Sequence, residues 1–260
     1  MPIQRSTLLF IAGAVLMVGA VVLALRLAGG FSGSDDVPAM ATSKADIERI
    51  VRNYLLENPE IIFEAAKRME EKESDQRVTQ MREGAKKRTT ELYNAPDAII
   101  AGNPAGDVTI VEFFDYRCAY CRKIVPDLSQ LLKQDGNIKL VLKEFPILSK
   151  ESDMAARAAI ASVAQGKYWD FHIALMNAEE LSEESVFAIA KGLGMDIERL
   201  KADMQSPRVM NVVVQNHSLA KELGIEATPT FYIGDEPFSG ARPLGELKEA
   251  VAAARKAKGT

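Results

Sequence analysis

The 260-residue sequence predicts an α/β fold in which one sheet is interrupted by a helical insertion. An apolar run at 108–114 (VTIVEFF) is followed by a helical segment to about Lys133 and then by a second apolar run, NIKLVLKEF. That strand, helix, strand order indicates an α/β unit. Residues 151–223 have helical patterns throughout, and strand patterns resume with TPTFYIG and EPFSG.

The other elements follow from local signals. A short strand is predicted at 98–100, before a Gly-Asn-Pro turn, and a closing helix at 244–254. Within the insertion, Ser152, Ser182 and Ser206 are predicted helix caps. Pro207 then opens the last inserted helix, which ends at Gly224.

Composition describes an ordinary globular chain, with 47% apolar and 26% charged residues. The formal net charge of −4 argues against a protein that coats nucleic acid, because phosphate binding needs a basic face. We expect no nucleic-acid partner.

An uncharged run at 7–25 (TLLFIAGAVLMVGAVVLAL) is about long enough to cross a bilayer as a helix. Arg5 precedes it, which favours an N-terminus inside the cell and export of the rest. Residues 1–28 are therefore predicted to be an inner-membrane signal anchor or a cleaved signal peptide, with Ala39-Met40-Ala41 as a cleavage pattern. Both alternatives place the chain in an oxidising compartment such as the periplasm.

Residues 29–45 are small, polar and contain Pro and Gly, which predicts a linker. Residues 46–96 are predicted to form a helical stalk or oligomerisation segment, with Asn58 and Pro59 beginning its second helix. The charged part at 70–92 has a thin apolar stripe, and we expect too little apolar area there for packing on a core. A solvated linker helix and one strand of an oligomeric stalk remain alternatives.

The only two cysteines, Cys118 and Cys121, lie at the predicted junction of a buried strand and a helix. Backbone N–H groups and the helix dipole favour a thiolate at Cys118, and Arg117, Arg122 and Lys123 add positive charge nearby. Cys121 is placed on nearly the same helical face to attack a mixed disulfide formed at Cys118. The pair predicts a two-electron redox switch that needs no cofactor.

Zinc coordination and a structural disulfide are two other uses of a cysteine pair. A zinc site would need two more ligands, and the only histidines, His172 and His217, are far apart and read as packed helix residues. A structural disulfide would close too small a loop to stabilise much. No metal site is predicted. Elsewhere, Thr228-Pro229 enters a strand where proline removes a donor, so a cis bond is expected there.

The stretches VEFFDYRCAYC and LGIEATPTF resemble the DsbA-like branch of the thioredoxin superfamily. The resemblance covers about 97–257 and implies a thioredoxin fold over 97–260 with redox-active Cys118 and Cys121. It also implies a cis-Pro229 beside them. The residues expected to contact substrate are Thr228, Pro229, Ala119 and Tyr120.

The same resemblance gives a role to Glu112, six residues before Cys118, as the buried acid beneath the cysteines. Lys143 matches its usual basic companion, and the pair could shuttle the proton of Cys121. The alternative is that both side chains face solvent on their strands.

The segment IERIVRNYLLENPEIIFEAAKRME resembles the N-terminus of the copper-sensitivity suppressor C proteins, which implies a possible homo-oligomer through residues 46–93. Two departures favour a weaker oxidant: Ala119-Tyr120 replaces the Pro-His of strong DsbA oxidases, and Thr228 resembles the isomerase relatives.

The predicted function is a periplasmic thiol-disulfide oxidoreductase that acts on substrate proteins with cysteines through the Cys-Ala-Tyr-Cys site, as oxidase or isomerase, with a membrane redox partner. The alternative is an oligomeric copper-handling or scaffold protein that uses the thiols as ligands.

Overall fold

A computed structural model of the chain describes residues 43–259. It contains two compact units, one ending at Ala65 and one beginning at Ala66. The predicted anchor or signal segment and most of the predicted linker lie outside the described residues. Among residues 43–259, no helix combines the length and apolar character needed to cross a membrane.

The described part of the first unit is helical. Helix α1 spans Lys44–Glu57, and the Ser43 side chain caps it by accepting a hydrogen bond from the Asp46 amide. Asn58 ends α1, because its side-chain amide donates to the Tyr54 carbonyl at 2.9 Å. Helix α2, Glu60–Lys87, begins directly after Pro59, next to the predicted start of a second helix at Asn58 and Pro59.

Helix α1 has no buried residue among the described residues, although one of its faces is apolar. The exposed large apolar side chains of α1 and of the first part of α2 are Ile47, Ile50, Val51, Tyr54, Leu56, Ile62, Phe63 and Met69. Exposed large apolar side chains in such number are typical of an interaction site.

The C-terminal part of α2 packs on the core of the second unit. Met81 and Ala85 are buried, as is Leu92 in the short helix α3, Thr89–Tyr93. The Tyr232 hydroxyl donates to the Met81 carbonyl at 3.2 Å. The expectation that this stretch has too little apolar area to pack is therefore wrong, because its few apolar side chains are supported by polar contacts.

The central sheet has five strands in the order β1-β3-β2-β4-β5. Their bounds are β1 Ile99–Gly102, β2 Val108–Phe114, β3 Ile138–Glu144, β4 Thr230–Ile233 and β5 Glu236–Ser239. Strands β2 and β3 are parallel and are joined by helix α4, Ala119–Gln134, whereas the other pairs are antiparallel. The predicted α/β unit is confirmed.

Helices cover both faces of β2 and β3. The inserted helices are α5 Lys150–Ser162, a 3-10 turn Val163–Gln165, α6 Tyr168–Asn177, α7 Glu183–Gly192, α8 Ile197–Met204 and α9 Pro207–Leu223, and helix α10 closes the chain at Leu244–Lys258. Ser182 and Ser206 cap α7 and α9 as predicted. Gly224 ends α9 with φ of 70°, a conformation that glycine adopts without a steric penalty.

One predicted cap is wrong. Ser149 caps α5, with its hydroxyl accepting from the Ser152 amide at 3.2 Å. Ser152 is instead buried in the first turn and donates to the Asp115 carboxylate at 2.7 Å.

Alternate residues of β2 belong to different apolar clusters. Ile110 and Phe114 pack with the inserted helices on one face, which we call the insertion face. Val111 and Phe113 pack on the other face with Met81 and Leu92, and we call this the stalk face. Because a strand has a side-chain period of two, a residue's register decides which face it occupies.

Candidate functional site

The two sequence motifs meet at the N-terminus of α4. Cys118 is the cap residue of this helix and is 7% exposed, whereas Cys121, in the first turn, is fully buried. The Cys118 thiol donates to the carbonyl oxygen of Thr228 at 3.1 Å, across 110 residues of sequence. The peptide bond between Thr228 and Pro229 is cis. The chain thus places the cysteine pair directly against the proline loop.

The two thiols have different acidities. The hydrogen bond from the Cys121 thiol is the main cause that lowers the pKa of Cys118 to about 5, and the Thr228 side chain and the backbone amides of Cys121 and Tyr120 contribute further. Burial raises the pKa of Cys121, and the neighbouring Cys118 and Glu112 raise it as well. At neutral pH, Cys118 is a thiolate and Cys121 a thiol. This difference suits Cys118 to attack a disulfide first and Cys121 to react afterwards.

Two of the cationic residues near Cys118, Arg122 and Arg117, are engaged elsewhere. Arg122 donates to the carbonyl oxygens of Met176 and Ala178 at the end of α6. The Arg117 guanidinium lies 3.9 Å from the Glu151 carboxylate. The low pKa of Cys118 therefore arises from the helix terminus and Cys121 more than from these side chains.

The two residues between the cysteines face solvent. Ala119 is exposed, and the Tyr120 side chain is 65% exposed. Their side chains are accessible beside the Cys118 thiol, as a contact surface for a substrate requires.

Glu112 lies on the insertion face of β2 and is only 1% exposed. Burial, followed by the negative charge at Cys118, raises the pKa of Glu112 to about 8. Its Oε1 atom has no hydrogen-bond partner within the described part of the chain. The alternative that Glu112 faces solvent is excluded.

Lys143 is buried too, but on the stalk face. In the parallel register it pairs with Phe113, whereas Glu112 pairs with Leu142. Its ammonium donates to the Glu91 carbonyl at 2.7 Å, and burial lowers the pKa of Lys143 to about 8. The expected ion pair between Glu112 and Lys143 is therefore wrong, since the sheet separates the two groups.

The ionisable residue of β3 that shares a face with Glu112 is Glu144, which the sequence reasoning missed. Glu144 is fully buried, and its Oε1 accepts hydroxyl hydrogen bonds from Tyr116 at 2.9 Å and Tyr168 at 2.7 Å. Burial raises the pKa of Glu144. An acidic residue at the end of an apolar strand, directly after Lys143, was the available signal.

Asp115 is a second missed residue. It is 1% exposed, and both carboxylate oxygens accept two hydrogen bonds each. Oδ1 accepts from the Arg117 amide and the Ser152 hydroxyl, and Oδ2 from the amides of Ile147 and Leu148. The Asp115 carbonyl also accepts from the Cys118 amide at 3.1 Å. Asp115 therefore fixes the loop after β3 to the loop that carries Cys118.

Both histidines are packed, as predicted. His172 is 2% exposed, its Nδ1 lies 3.2 Å from the Tyr116 hydroxyl, and burial lowers the pKa of His172 to about 3. The His217 ring lies 4.9 Å from the Phe145 ring, centroid to centroid. Within residues 43–259, no group of three or more His, Cys, Asp or Glu side chains is arranged to hold a metal ion.

A family model described as thioredoxin matches residues 94–253. The chain belongs to the thioredoxin family. A second model, described as the N-terminal domain of the copper resistance protein ScsC, matches residues 44–76. Both resemblances expected from the sequence are confirmed.

Solved structures of this thioredoxin family agree. A thioredoxin-like oxidoreductase from Silicibacter pomeroyi is 45% identical, with a TM-score of 0.63, and the match covers 64% of this chain and 97% of that one. The thiol-disulfide exchange protein alpha-DsbA2 from Wolbachia pipientis is 30% identical, with a TM-score of 0.64 and coverage of 68% and 97%. BcfH from Salmonella enterica Typhimurium is 25% identical, with a TM-score of 0.67 and coverage of 81% and 95%.

Curated relatives also match part of the chain. The Na(+)/H(+) antiporter NhaA 3 of Salinispora tropica is 27% identical over 158 residues, which are 60% of this chain and 24% of that protein. The chain therefore spans about a quarter of the length of the first curated relatives that it matches. A probable disulfide bond formation protein D from Bacillus anthracis is 27% identical over 146 residues, 51% of this chain and 67% of that protein. The family to which this thioredoxin-fold chain belongs includes thiol-disulfide oxidoreductases.

Proposed function

We propose that the protein is a thiol-disulfide oxidoreductase that exchanges disulfides with substrate proteins through Cys118 and Cys121. The observation that carries the proposal is the asymmetric thiol pair: a Cys118 with a pKa of about 5 next to a buried Cys121. A structural cysteine pair has no need of this asymmetry.

The reaction follows from the two positions. The Cys118 thiolate attacks a substrate disulfide, forms a mixed disulfide and releases one substrate thiolate. Cys121 then loses its proton and attacks the Cys118 sulfur, which releases the second substrate thiolate and leaves the Cys118–Cys121 disulfide. The substrate gains two electrons, and the chain loses two. The reverse sequence oxidises a substrate dithiol.

Glu112 is the group proposed to take the proton of Cys121. It is buried on the same face as the site, and its charge acts on the Cys121 thiol. A pKa of about 8 lets Glu112 gain and lose a proton near neutral pH. Lys143, on the opposite face, takes no part in this step.

The substrate surface is proposed to consist of the cis-proline loop and the exposed residues between the cysteines. The Thr228 carbonyl, which precedes the cis-Pro229, accepts a hydrogen bond from the Cys118 thiol, and the Tyr120 side chain is open to solvent. An extended substrate segment could pair with backbone groups of this loop and contact the Tyr120 ring.

The exposed apolar face of α1 and early α2 is proposed to assemble copies of the chain through residues 46–93. The face includes Ile47, Val51 and Phe63, and it falls in the segment that matches the ScsC N-terminal domain. Substitution of Val51 by Asp would place a charge at its centre and is expected to yield monomers in light scattering, whereas Lys44→Asp, at the edge, would leave the assembly intact.

Export to the periplasm, with residues 7–25 as anchor or cleaved signal, and a membrane redox partner complete the proposal. The uncharged run at 7–25 supports export. The Ala119-Tyr120 pair supports a disulfide less oxidising than that of strong DsbA oxidases, which favours an isomerase role. Cell fractionation and alkylation of Cys118 and Cys121 in intact envelopes test localisation and resting redox state together.

Disulfide exchange by the full chain tests the enzymatic proposal. Cys118→Ser is expected to abolish reduction of a model protein disulfide, while Cys121→Ser retains attack and accumulates a mixed disulfide visible on a non-reducing gel. Unchanged exchange in Cys118→Ser would refute the proposal. If exchange is absent from the wild type and Cu(I) binding is lost in the double variant, the copper-handling alternative is favoured instead.

A further inference from the structure

Two buried carboxyl groups lie on the insertion face beneath the cysteines. Glu112 is opposite Leu142 and Glu144 is opposite Phe114, so the two glutamates are diagonal neighbours on adjacent strands. Adjacent strands lie about 4.8 Å apart and two residues rise about 6.6 Å along a strand, so these two positions are roughly 8 Å apart, and their side chains can be joined by one bridging water. Within residues 43–259, Glu112 Oε1 and Glu144 Oε2 each lack a hydrogen-bond partner.

The contacts of Glu144 distinguish its two oxygens. Oε1 accepts from both Tyr116 and Tyr168, which suits the carbonyl oxygen of a neutral carboxylic acid. A proton on Glu144 would then be on Oε2, the oxygen without a partner. The amide of Asn216 donates to the backbone carbonyl of Glu144 at 3.0 Å and holds the strand end in place.

The surroundings favour the neutral form of Glu144. The titratable groups that face it are Tyr116 and Asp115 from the loop after β2, Glu112 from β2, and Tyr168 and His172 from α6. Burial raises the pKa of Glu144, the two acids raise it further, and the two tyrosine hydroxyls oppose this. His172 is neutral, because burial lowers its pKa to about 3. No group in this set supplies a full positive charge.

We propose that Glu144 is a positioning residue of the redox site: a carboxylic acid whose Oε2 hydroxyl donates a hydrogen bond, through one bridging water, to the Glu112 carboxylate. The inference rests on the proposed function only for its consequence in thiol exchange. A donor to the charged form stabilises that form, so Glu144 increases the fraction of Glu112 that is ionised and able to accept the Cys121 proton.

The test compares Glu144→Gln with Glu144→Met. Glutamine keeps an oxygen for the two tyrosines and supplies an N–H donor, whereas methionine supplies no donor. The readouts are the carboxyl ¹³C chemical shift of Glu112 against pH and the pH profile of the step in which Cys121 releases a mixed disulfide. We expect the midpoint of the Glu112 titration to stay near the wild-type value in Glu144→Gln. In Glu144→Met, the midpoint should rise by about one pH unit.

Two results would overturn the inference. A lower midpoint of the Glu112 titration in Glu144→Gln would mean that Glu144 carries a negative charge in the wild type. An unchanged titration in Glu144→Met would mean that Glu144 only supports the tyrosines. The carboxyl titrations can be measured in Cys118→Ser too, so failure of thiol exchange and failure of this hydrogen bond are distinguishable.

Infrared spectroscopy of the wild type keeps the inference testable if Glu144→Met does not fold. At a pH above the Glu112 titration, a protonated-carboxyl stretch is expected that persists in Glu112→Gln and disappears in Glu144→Gln. If that stretch is absent from the wild type, Glu144 is ionised and the inference is wrong.

Discussion

Glu112 and Lys143 lie on opposite faces of the central sheet, because Lys143 pairs with Phe113 in the parallel register of β2 and β3. The carboxylate adjoins the cysteines, whereas the ammonium is held by the Glu91 carbonyl beneath α3. Lys143 lies one position along β3 from Leu142, the partner of Glu112. Because successive side chains of a strand point to opposite faces, this single position separates two buried ionisable groups.

Removing the Lys143 charge should leave the thiol chemistry unchanged. Lys143→Met is expected to keep the wild-type pH profile for release of a mixed disulfide by Cys121, because no charge on the insertion face changes. Glu112→Gln removes the proposed proton acceptor and should slow this release about tenfold or more near neutral pH. Stopped-flow kinetics would measure both variants, and an equal effect of the two would contradict this separation of roles.

The Cys118 thiol should react with iodoacetamide with a midpoint near its pKa of about 5. Cys121→Ala removes the hydrogen bond that contributes most to this low value, so the midpoint should move upward. Tyr120→Phe, which changes only an exposed hydroxyl, is the matched control and should leave the midpoint in place. A midpoint that Cys121→Ala does not move would point to the helix terminus as the dominant cause.

Glu112 should make the reduced protein less stable as pH rises. Its pKa in the folded protein, about 8, exceeds the ordinary value of 4.5. The carboxyl therefore lowers the free energy of unfolding by nothing below about pH 4.5, and by its full amount above about pH 8. Glu112→Gln should therefore be neutral at low pH and stabilising at high pH, by about 5 kcal/mol at most. Urea unfolding at both ends of this range measures the difference, and Lys143→Gln is a buried comparison on the other face. A benefit of Glu112→Gln that is equal at every pH would show that the carboxyl is not titrating.

Asp115→Asn should destabilise the protein although the two side chains have the same shape. Each Asp115 oxygen accepts two hydrogen bonds, and an asparagine NH₂ would face two donors in place of one oxygen. We expect a loss of about 2 to 4 kcal/mol, because buried donors lose their acceptor. Ser152→Ala removes one of the four donors and should cost less. Equal losses in the two variants would mean that the amides of Ile147 and Leu148 find other acceptors.

Met81→Ala tests whether the end of α2 belongs to the core. The side chain is 4% exposed, so its truncation should reduce the free energy of unfolding by about 2 to 4 kcal/mol. Met210→Ala, at a side chain that is 42% exposed, should cost less than about 1 kcal/mol. Thermal and denaturant unfolding of the full chain would compare the two variants, and similar losses would contradict the burial of Met81.

The sequence predicted the strand and helix order well because β2 and β3 are continuous apolar runs and the inserted helices carry clear caps at Ser182 and Ser206. It also placed the cysteine pair and the proline loop correctly. It failed where a result depends on three-dimensional register. The face occupied by Lys143 cannot be read from one strand alone, because it depends on how β3 pairs with β2.

The two buried acids were not predicted from the sequence for a related reason. Glu144 and Asp115 are stabilised by partners that are distant in sequence, such as Tyr168, Ser152 and Ile147. A charged residue next to an apolar strand usually faces solvent, so only the folded contacts identify these two as buried. The packing of α2 on the core was underestimated from its thin apolar stripe, because the Tyr232 hydroxyl and the Arg82–Glu236 ion pair add contacts to those of the apolar side chains.

The inserted helices supply Tyr168, His172 and Asn216 to the surroundings of Glu144, while the sheet supplies the acid itself. In a protein with the sheet but without the insertion, a carboxyl at the end of β3 would lose these partners and be costly to bury. Evolution should therefore gain or lose the acid and the insertion together. Among thioredoxin-fold sequences, an acidic residue at this strand position is expected to track the presence of inserted helices that carry the tyrosine, whatever two residues separate the cysteines.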